Sequence, residues 1–137
     1  MSRPPAGTGD TRGAGDRALT ARALRAFCLG LAGTTEERPF PRNPDLVAFK
    51  VEGKIFAFCV PEQEPLTVSL KCDPEEAVRL REAHAAIVPG WHLNKRHWNT
   101  VTVGALPPRM VRELIEDSYD LVVAGLPRAT RLRLDRP

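Results

Sequence analysis

Val47-Ala48-Phe49-Lys50-Val51-Glu52-Gly53-Lys54-Ile55-Phe56-Ala57-Phe58-Cys59-Val60, followed by Leu66-Thr67-Val68-Ser69-Leu70-Lys71, is the stretch that decides the fold. Val47, Phe49 and Val51 alternate with Ala48, Lys50 and Glu52, the period of a strand with one buried face. Glu52-Gly53 then reads as a tight turn, because glycine adopts positive φ without strain. Residues 54–60 are apolar on both faces after Lys54, as a central strand should be. Pro61 and Pro65 bracket a second turn. Beyond it Leu66, Val68 and Leu70 alternate with Thr67, Ser69 and Lys71. Strands joined by short turns pair antiparallel, so this is a meander with one buried and one solvated face.

Upstream, residues 17–32 read as a helix. Leu24, Phe27, Cys28 and Leu31 share one apolar face, Asp16 suits the N-cap and Gly33 the C-terminal stop. Pro39, Pro41 and Pro44 then hold an irregular connection open. Downstream, Asp73-Pro74-Glu75-Glu76 opens a second helix, with Asp73 as N-cap, Pro74 in the first turn and Val78, Arg79 and Leu80 carrying it to about Ala85. Residues 87–93 are extended. Residues 98–103 form a strand with Val101 and Val103 on one face and Thr100 and Thr102 on the other. Pro107-Pro108 starts a last helix, in which Val111, Ile115, Ser118 and Val122 line one face and Leu114 and Leu121 widen it. Residues 128–137 read as a short basic tail. The expected fold is α+β: a two-layer domain with an antiparallel sheet of four to five strands and N- and C-terminal helices packed on one face.

Length 137 fits a single domain, expected at 17–137 behind a disordered N-terminal tail at 1–16. That tail holds no aromatic or β-branched aliphatic residue and cannot offset its ordering entropy. It lacks the apolar core of a secretory signal, and no apolar run is long enough to span a bilayer. The expected location is cytoplasmic, with no membrane partner. The formal net charge of +3 permits an anionic partner without requiring one. Sixteen Arg against four Lys, with abundant Ala, Gly and Pro, reads as GC-rich coding and makes Lys50, Lys54, Lys71 and Lys95 worth locating. Cys28, Cys59 and Cys72 are odd in number and widely spaced. They read as reduced thiols, with no CxxC pair for zinc or redox chemistry.

The segment Gly90-Trp91-His92-Leu93-Asn94-Lys95-Arg96-His97-Trp98-Asn99-Thr100-Val101 interleaves aromatics with cations and amides. Cations neutralise phosphates, amides read base edges and a flat ring stacks on a base. The competing reading packs Trp98 into the core, spends Asn94 and Asn99 on turn backbone and leaves the cations solvated. By alternation Lys50, Thr67, Ser69, Lys71, Thr100 and Thr102 share the exposed sheet face, and Trp98 joins them if it keeps register with Thr100. The competing reading of that face is an ordinary polar surface.

This segment, with Pro39-Phe40, Phe49-Lys50-Val51, Gly53-Lys54-Ile55-Phe56-Ala57, Leu70-Lys71-Cys72-Asp73-Pro74-Glu75 and Ser118-Tyr119-Asp120-Leu121-Val122, resembles the MmcQ/YjbR family over residues 22–134. The resemblance implies the YjbR/CyaY-like fold, related to the bacterial frataxin homologue, and DNA binding. It supplies no catalytic residues. Ala32 stands where the family often has Pro, and Pro41 where it often has Gly, so the loop after the first helix departs from the family pattern.

His92 and His97 match no common helical metal spacing, and Asp45, Glu52 and His84 add no ligand cluster. Arg17, Arg22 and Arg25 stand where frataxin-like iron binding needs an acidic first helix. Ser2, Ser69 and Ser118 sit in no nucleophile motif, and there is no Walker or dinucleotide-binding glycine loop. No enzyme, cofactor or metal is expected. The expected function is non-catalytic nucleic-acid binding, with DNA the expected polymer, through Lys50, Lys71, Asn94, Lys95, Arg96, His97 and Trp98. The alternatives are a protein-interaction or regulatory module using the same sheet face, and binding of a small anionic ligand.

Overall fold

The computed structural model of the protein describes residues 18–90 and 93–134. The expected tail boundary, the Asp16 cap, Trp91 and His92 lie outside the described residues. The chain runs through helix α1 (Ala21–Leu29), strands β1 (Thr34–Glu37), β2 (Val47–Val51), β3 (Lys54–Cys59) and β4 (Thr67–Lys71), helix α2 (Pro74–Ala83), strands β5 (Ile87–Pro89) and β6 (Trp98–Thr102), a 3-10 turn (Val103–Ala105), and helices α3 (Pro108–Ala124) and α4 (Arg128–Arg133). All six strands form one antiparallel sheet in the order β1-β2-β3-β4-β6-β5.

The meander pairs as its period requires. Val47 and Phe49 face the same way as Cys59, Ala57, Val68, Leu70 and Val101 through the β2–β3, β3–β4 and β4–β6 registers. These residues are buried and form the helix-side core with Leu24, Val111, Ile115 and Tyr119. At the β2–β3 hairpin Glu52 (φ 50°) and Gly53 (φ 77°) both take positive φ, the two-residue turn that matches strand twist. A register irregularity near Phe49/Lys50 puts both Phe56 and Ala57 in the core.

The sheet has six strands rather than four or five. The additional strand, β1, is Thr-Thr-Glu-Glu and was expected to be irregular. It lacks apolar alternation because it lies at the sheet edge, where charged side chains also block pairing with another chain. Three other expectations are corrected. Helix α1 begins at Ala21, where Thr20 Oγ1 accepts the Ala23 amide at 3.0 Å. It is capped at its end by Gly30, while Gly33 (φ +74°) turns the chain into β1. The supposed basic tail forms α4, and the buried Leu134 just beyond it packs so closely that its Cδ2 would lie 2.6 Å from a Cβ at Gly33.

Helix α2 is capped by Asp73, whose Oδ1 accepts the Glu75 amide at 3.0 Å. Its Ala77 is buried while Val78 faces solvent. On α3 the buried face is Val111, Ile115, Ser118, Tyr119, Val122 and Val123. Tyr119 meets Phe56 edge-on at 5.3 Å and its hydroxyl donates to the Ala32 carbonyl. Leu114 is half-buried and packs against the core as expected, whereas Leu121 is exposed; both border a hollow beside α2. Asn99, on the helix side of β6, donates to the Ala77 carbonyl and accepts from Arg81 at 2.9 Å, which places α2 on the same sheet face as α3. Among the described residues no helix is long and apolar enough to cross a membrane.

Candidate functional site

The face away from the helices is set by strand alternation. Lys71 pairs with Trp98, Ser69 with Thr100 and Thr67 with Thr102, so Trp98 does keep register with Thr100 and shares a face with these polar residues. Ser69 and Thr100 are hydrogen-bonded through their hydroxyls at 2.9 Å. Trp98 is half-buried. Its ring reaches across β4 to Phe58, with centroids 5.4 Å apart, and Phe58 in turn contacts Phe40 at 5.8 Å. Phe58 is 9% exposed and Phe40 36%. The face therefore carries an aromatic row, Trp98 with Phe58 and Phe40, where alternation led us to expect lysines, hydroxyls and the Trp98 ring alone.

Phe40 and Phe58 escaped the sequence reading. Phe58 left a signal, since β3 is apolar on both sides. Phe40 left none in the strand pattern, because it lies in the loop between β1 and β2 and reaches this face only through the folding of that loop.

The expected site residues divide into three places. Lys71 and Trp98 are cross-strand neighbours. Asn94, Lys95, Arg96 and His97 lie in the turn that feeds β6. Asn94 shapes that turn: its Oδ1 accepts the Arg96 amide at 3.0 Å and its carbonyl accepts the amides of His97 and Trp98. His97 is half-buried, and its carbonyl accepts the Cys72 amide at 2.7 Å, which ties the turn to the end of β4. Asn94 and His97 thus hold the turn through their backbone and amide groups, while Lys95 and Arg96 are exposed and flank α2 beside Pro74, Glu75 and Arg79.

Lys50 does not join the others. It lies on β2, two strands from β4, about 10 Å across the sheet. Its Nζ pairs with Glu37 Oε1 at 2.9 Å, and the hydrogen bond from Lys50 holds the Glu37 carboxyl below its ordinary range. The β1 strand missing from the sequence reading supplies that carboxylate. The cations are accordingly split: Lys71 lies beside Trp98 on the open face, while Lys95 and Arg96 lie on the turn beside α2.

The YjbR family model matches residues 29–121, which contain this whole face. The chain belongs to the YjbR family. It is similar to YjbR of Escherichia coli K12, 34% identical over 114 residues that cover 82% of this chain and 95% of that protein. It is also similar to YbdF of Escherichia coli O157:H7, 34% identical over 96 residues covering 69% of this chain and 79% of that one. Among solved structures, the DUF419 protein DR2400 of Deinococcus radiodurans superposes with a TM-score of 0.80 at 39% identity, covering 88% of this chain and 91% of that one. A Pseudomonas syringae protein superposes at 0.64 and 27% identity, covering 73% and 96%.

In this YjbR-family chain Ser118, within the Ser-Tyr-Asp-Leu-Val segment, is wholly buried. Its hydroxyl donates to the Phe56 carbonyl at 2.6 Å and accepts the Lys71 amide at 2.9 Å, a staple between α3 and the sheet and no nucleophile. Burial, then the proximity of Cys59, pushes the Cys28 thiol up to about 12. Burial, then Glu36, raises Cys59 to about 11. Cys72 is half-buried and raised to about 11 by burial and then by Glu76, Asp73 and Asp117. All three thiols are thus held protonated at neutral pH, which suppresses nucleophilic chemistry. Among the described residues no group of three or more His, Cys, Asp or Glu is gathered as a metal ion requires.

Proposed function

We propose that the protein is a non-catalytic, cytoplasmic nucleic-acid-binding protein whose ligand is unpaired DNA stacked on the open sheet face. The observation that carries this reading is the juxtaposition of Lys71 with Trp98, whose ring continues into Phe58 and Phe40. Bases stack on the accessible rings of Trp98 and Phe40, with Phe58 packed between them, Lys71 meets a phosphate beside the indole, and Lys95 and Arg96 extend the phosphate path round the β6 turn. Bases within a duplex already stack on each other, so an aromatic row favours single strands.

A salt series tests this. Association with a single-stranded DNA oligonucleotide should weaken steeply with salt and exceed association with the matching duplex. Replacing Lys95 and Arg96 together by Ala should flatten the slope of log K against log salt by about 1.4, the counterion release of two phosphate contacts on a single strand. Trp98→Ala should weaken binding by about 1–3 kcal/mol with the slope unchanged. If the wild type shows no salt-dependent association with any nucleic acid at low ionic strength, the reading fails.

A second reading is favoured by the exposure of Phe40 and the neutralisation of Lys50 by Glu37. Around Phe40 and the Lys50–Glu37 pair the face then carries an exposed aromatic ring and no net charge, as a protein-docking surface does at its centre.

A further inference from the structure

The opposite sheet face carries a hollow unrelated to the aromatic row. Helices α2 and α3 diverge over β4, β6 and β5 and leave a cavity of 350 Å³. Its floor is Leu70, Ile87 and Val101 from the sheet, and its walls are Leu80 of α2 with Leu114 and Leu121 of α3. Nothing in the strand and helix periods requires such a space. It exists because α3 turns Tyr119 and Val123 into the core and leaves Leu114 and Leu121 on its flank.

The chemistry of the mouth differs from that of the lining. Asp73 and Glu76 reach it from the start of α2, and Asp117 and Asp120 from one turn of α3. Glu76 is answered by Arg79 at 2.7 Å on the solvent side, and Asp73 caps its own helix. Asp117 has no cation paired with it among the described residues. Two basic residues are near. Lys71 lines the cavity, but strand alternation turns its side chain to the opposite face beside Trp98. Arg81 is engaged by Asn99 at 2.9 Å and by the Lys95 carbonyl at 3.4 Å, and it is absent from the lining.

We propose that this hollow is a binding site for a small organic cation: an apolar, ring-sized body seated on Leu70, Val101 and Leu114, carrying an ammonium group held at the mouth by Asp117. The cavity volume falls in the range of small-molecule sites, at its lower end. Charge complementarity selects the cation, since a carboxylate at the cavity mouth surrounded by other carboxylates is relieved by an ammonium and opposed by an anion. Burial, followed by Asp120, Glu113, Glu116 and Glu76, already raises the Asp117 carboxyl above its ordinary value. A bare metal ion fits less well, because no three potential ligands converge among the described residues.

The probes are tryptamine, tryptophol and indole-3-acetate, which share one apolar body and differ in charge. Each is titrated into the full chain with amide resonances followed by NMR. Tryptamine should give saturable shifts at Leu80, Leu114, Asp117 and Val101. Tryptophol should bind about fivefold more weakly, and indole-3-acetate should not bind, because removing one partly exposed ion pair is worth about that factor. Asp117→Asn should reduce tryptamine affinity toward that of tryptophol while leaving DNA association unchanged, which separates this site from the aromatic face. Equal affinity for all three probes, or no saturable shifts up to millimolar tryptamine, overturns the proposal. So does a response to a basic amphipathic peptide alone, which would assign the hollow to a protein partner.

Discussion

At Ser118 one hydroxyl satisfies two buried backbone groups, the Phe56 carbonyl and the Lys71 amide. Ser118→Ala would leave both without a partner in a region closed to water, so we expect a loss of about 2–3 kcal/mol in urea denaturation with the far-ultraviolet dichroism unchanged. Trp98 is the contrasting residue. It is half-buried and packs on Phe58 from the open face, so Trp98→Ala should cost less stability than Ser118→Ala while affecting ligand association more. The thiols are ordered by the same logic. Cys72 is half-exposed while Cys28 and Cys59 are buried, and all three are raised to about 11 or 12. Iodoacetamide near pH 8 should label Cys72 slowly and first, and the other two only after denaturation. Rapid labelling of Cys28 in the native protein would contradict the packing of α1.

At the scale of elements, the β2–β3 hairpin is formed by two residues at positive φ, one of them Glu52 at 50°. Glutamate fits that region poorly, whereas asparagine is tolerated and favoured in such turns. Glu52→Asn should therefore raise stability by about 0.5 kcal/mol, read as a small increase in melting temperature. The loss of the Arg133–Glu52 pair, 3.9 Å apart and exposed, will offset little of that gain. The helix starts follow the same local chemistry. Thr20→Ala removes the acceptor for the Ala23 amide and should cost about 1 kcal/mol. Strands β2, β3, β4 and β6 and helices α2 and α3 were legible because period and caps are written in adjacent residues. Strand β1 and helix α4 were not. Thr34–Glu37 has no apolar alternation, and α4 is a six-residue basic segment with no fully buried residue of its own.

For the whole molecule, the acidic mouth between α2 and α3 sets a pH dependence. An acid whose native pKa lies above its unfolded value binds protons more readily when folded, so its contribution to stability falls as pH rises through that window. Asp117 is such a group, raised by burial and by Asp120, Glu113 and Glu116 on its own helix and Glu76 on α2. Asp117→Asn should raise the melting temperature near pH 7, and the difference should vanish near pH 3, where the wild-type carboxyl is protonated in both states. An unchanged difference at both pH values would show that the substitution acts through packing.

The sequence by itself determined the architecture: period-2 strands, short turns and capped helices specify a two-layer α+β domain, because each signal is read from neighbours along the chain. It also put Lys71, Ser69 and Thr100 on one face and made Trp98's place there conditional on register, which the β4–β6 pairing then set. Only the tertiary structure decided that Lys50 is spent on Glu37, that Phe40 and Phe58 extend the indole of Trp98, and that Leu114 and Leu121 border a hollow. The reason is geometric. Each of these contacts joins residues from different elements, and their approach is set by sheet order and helix placement, which no local pattern encodes.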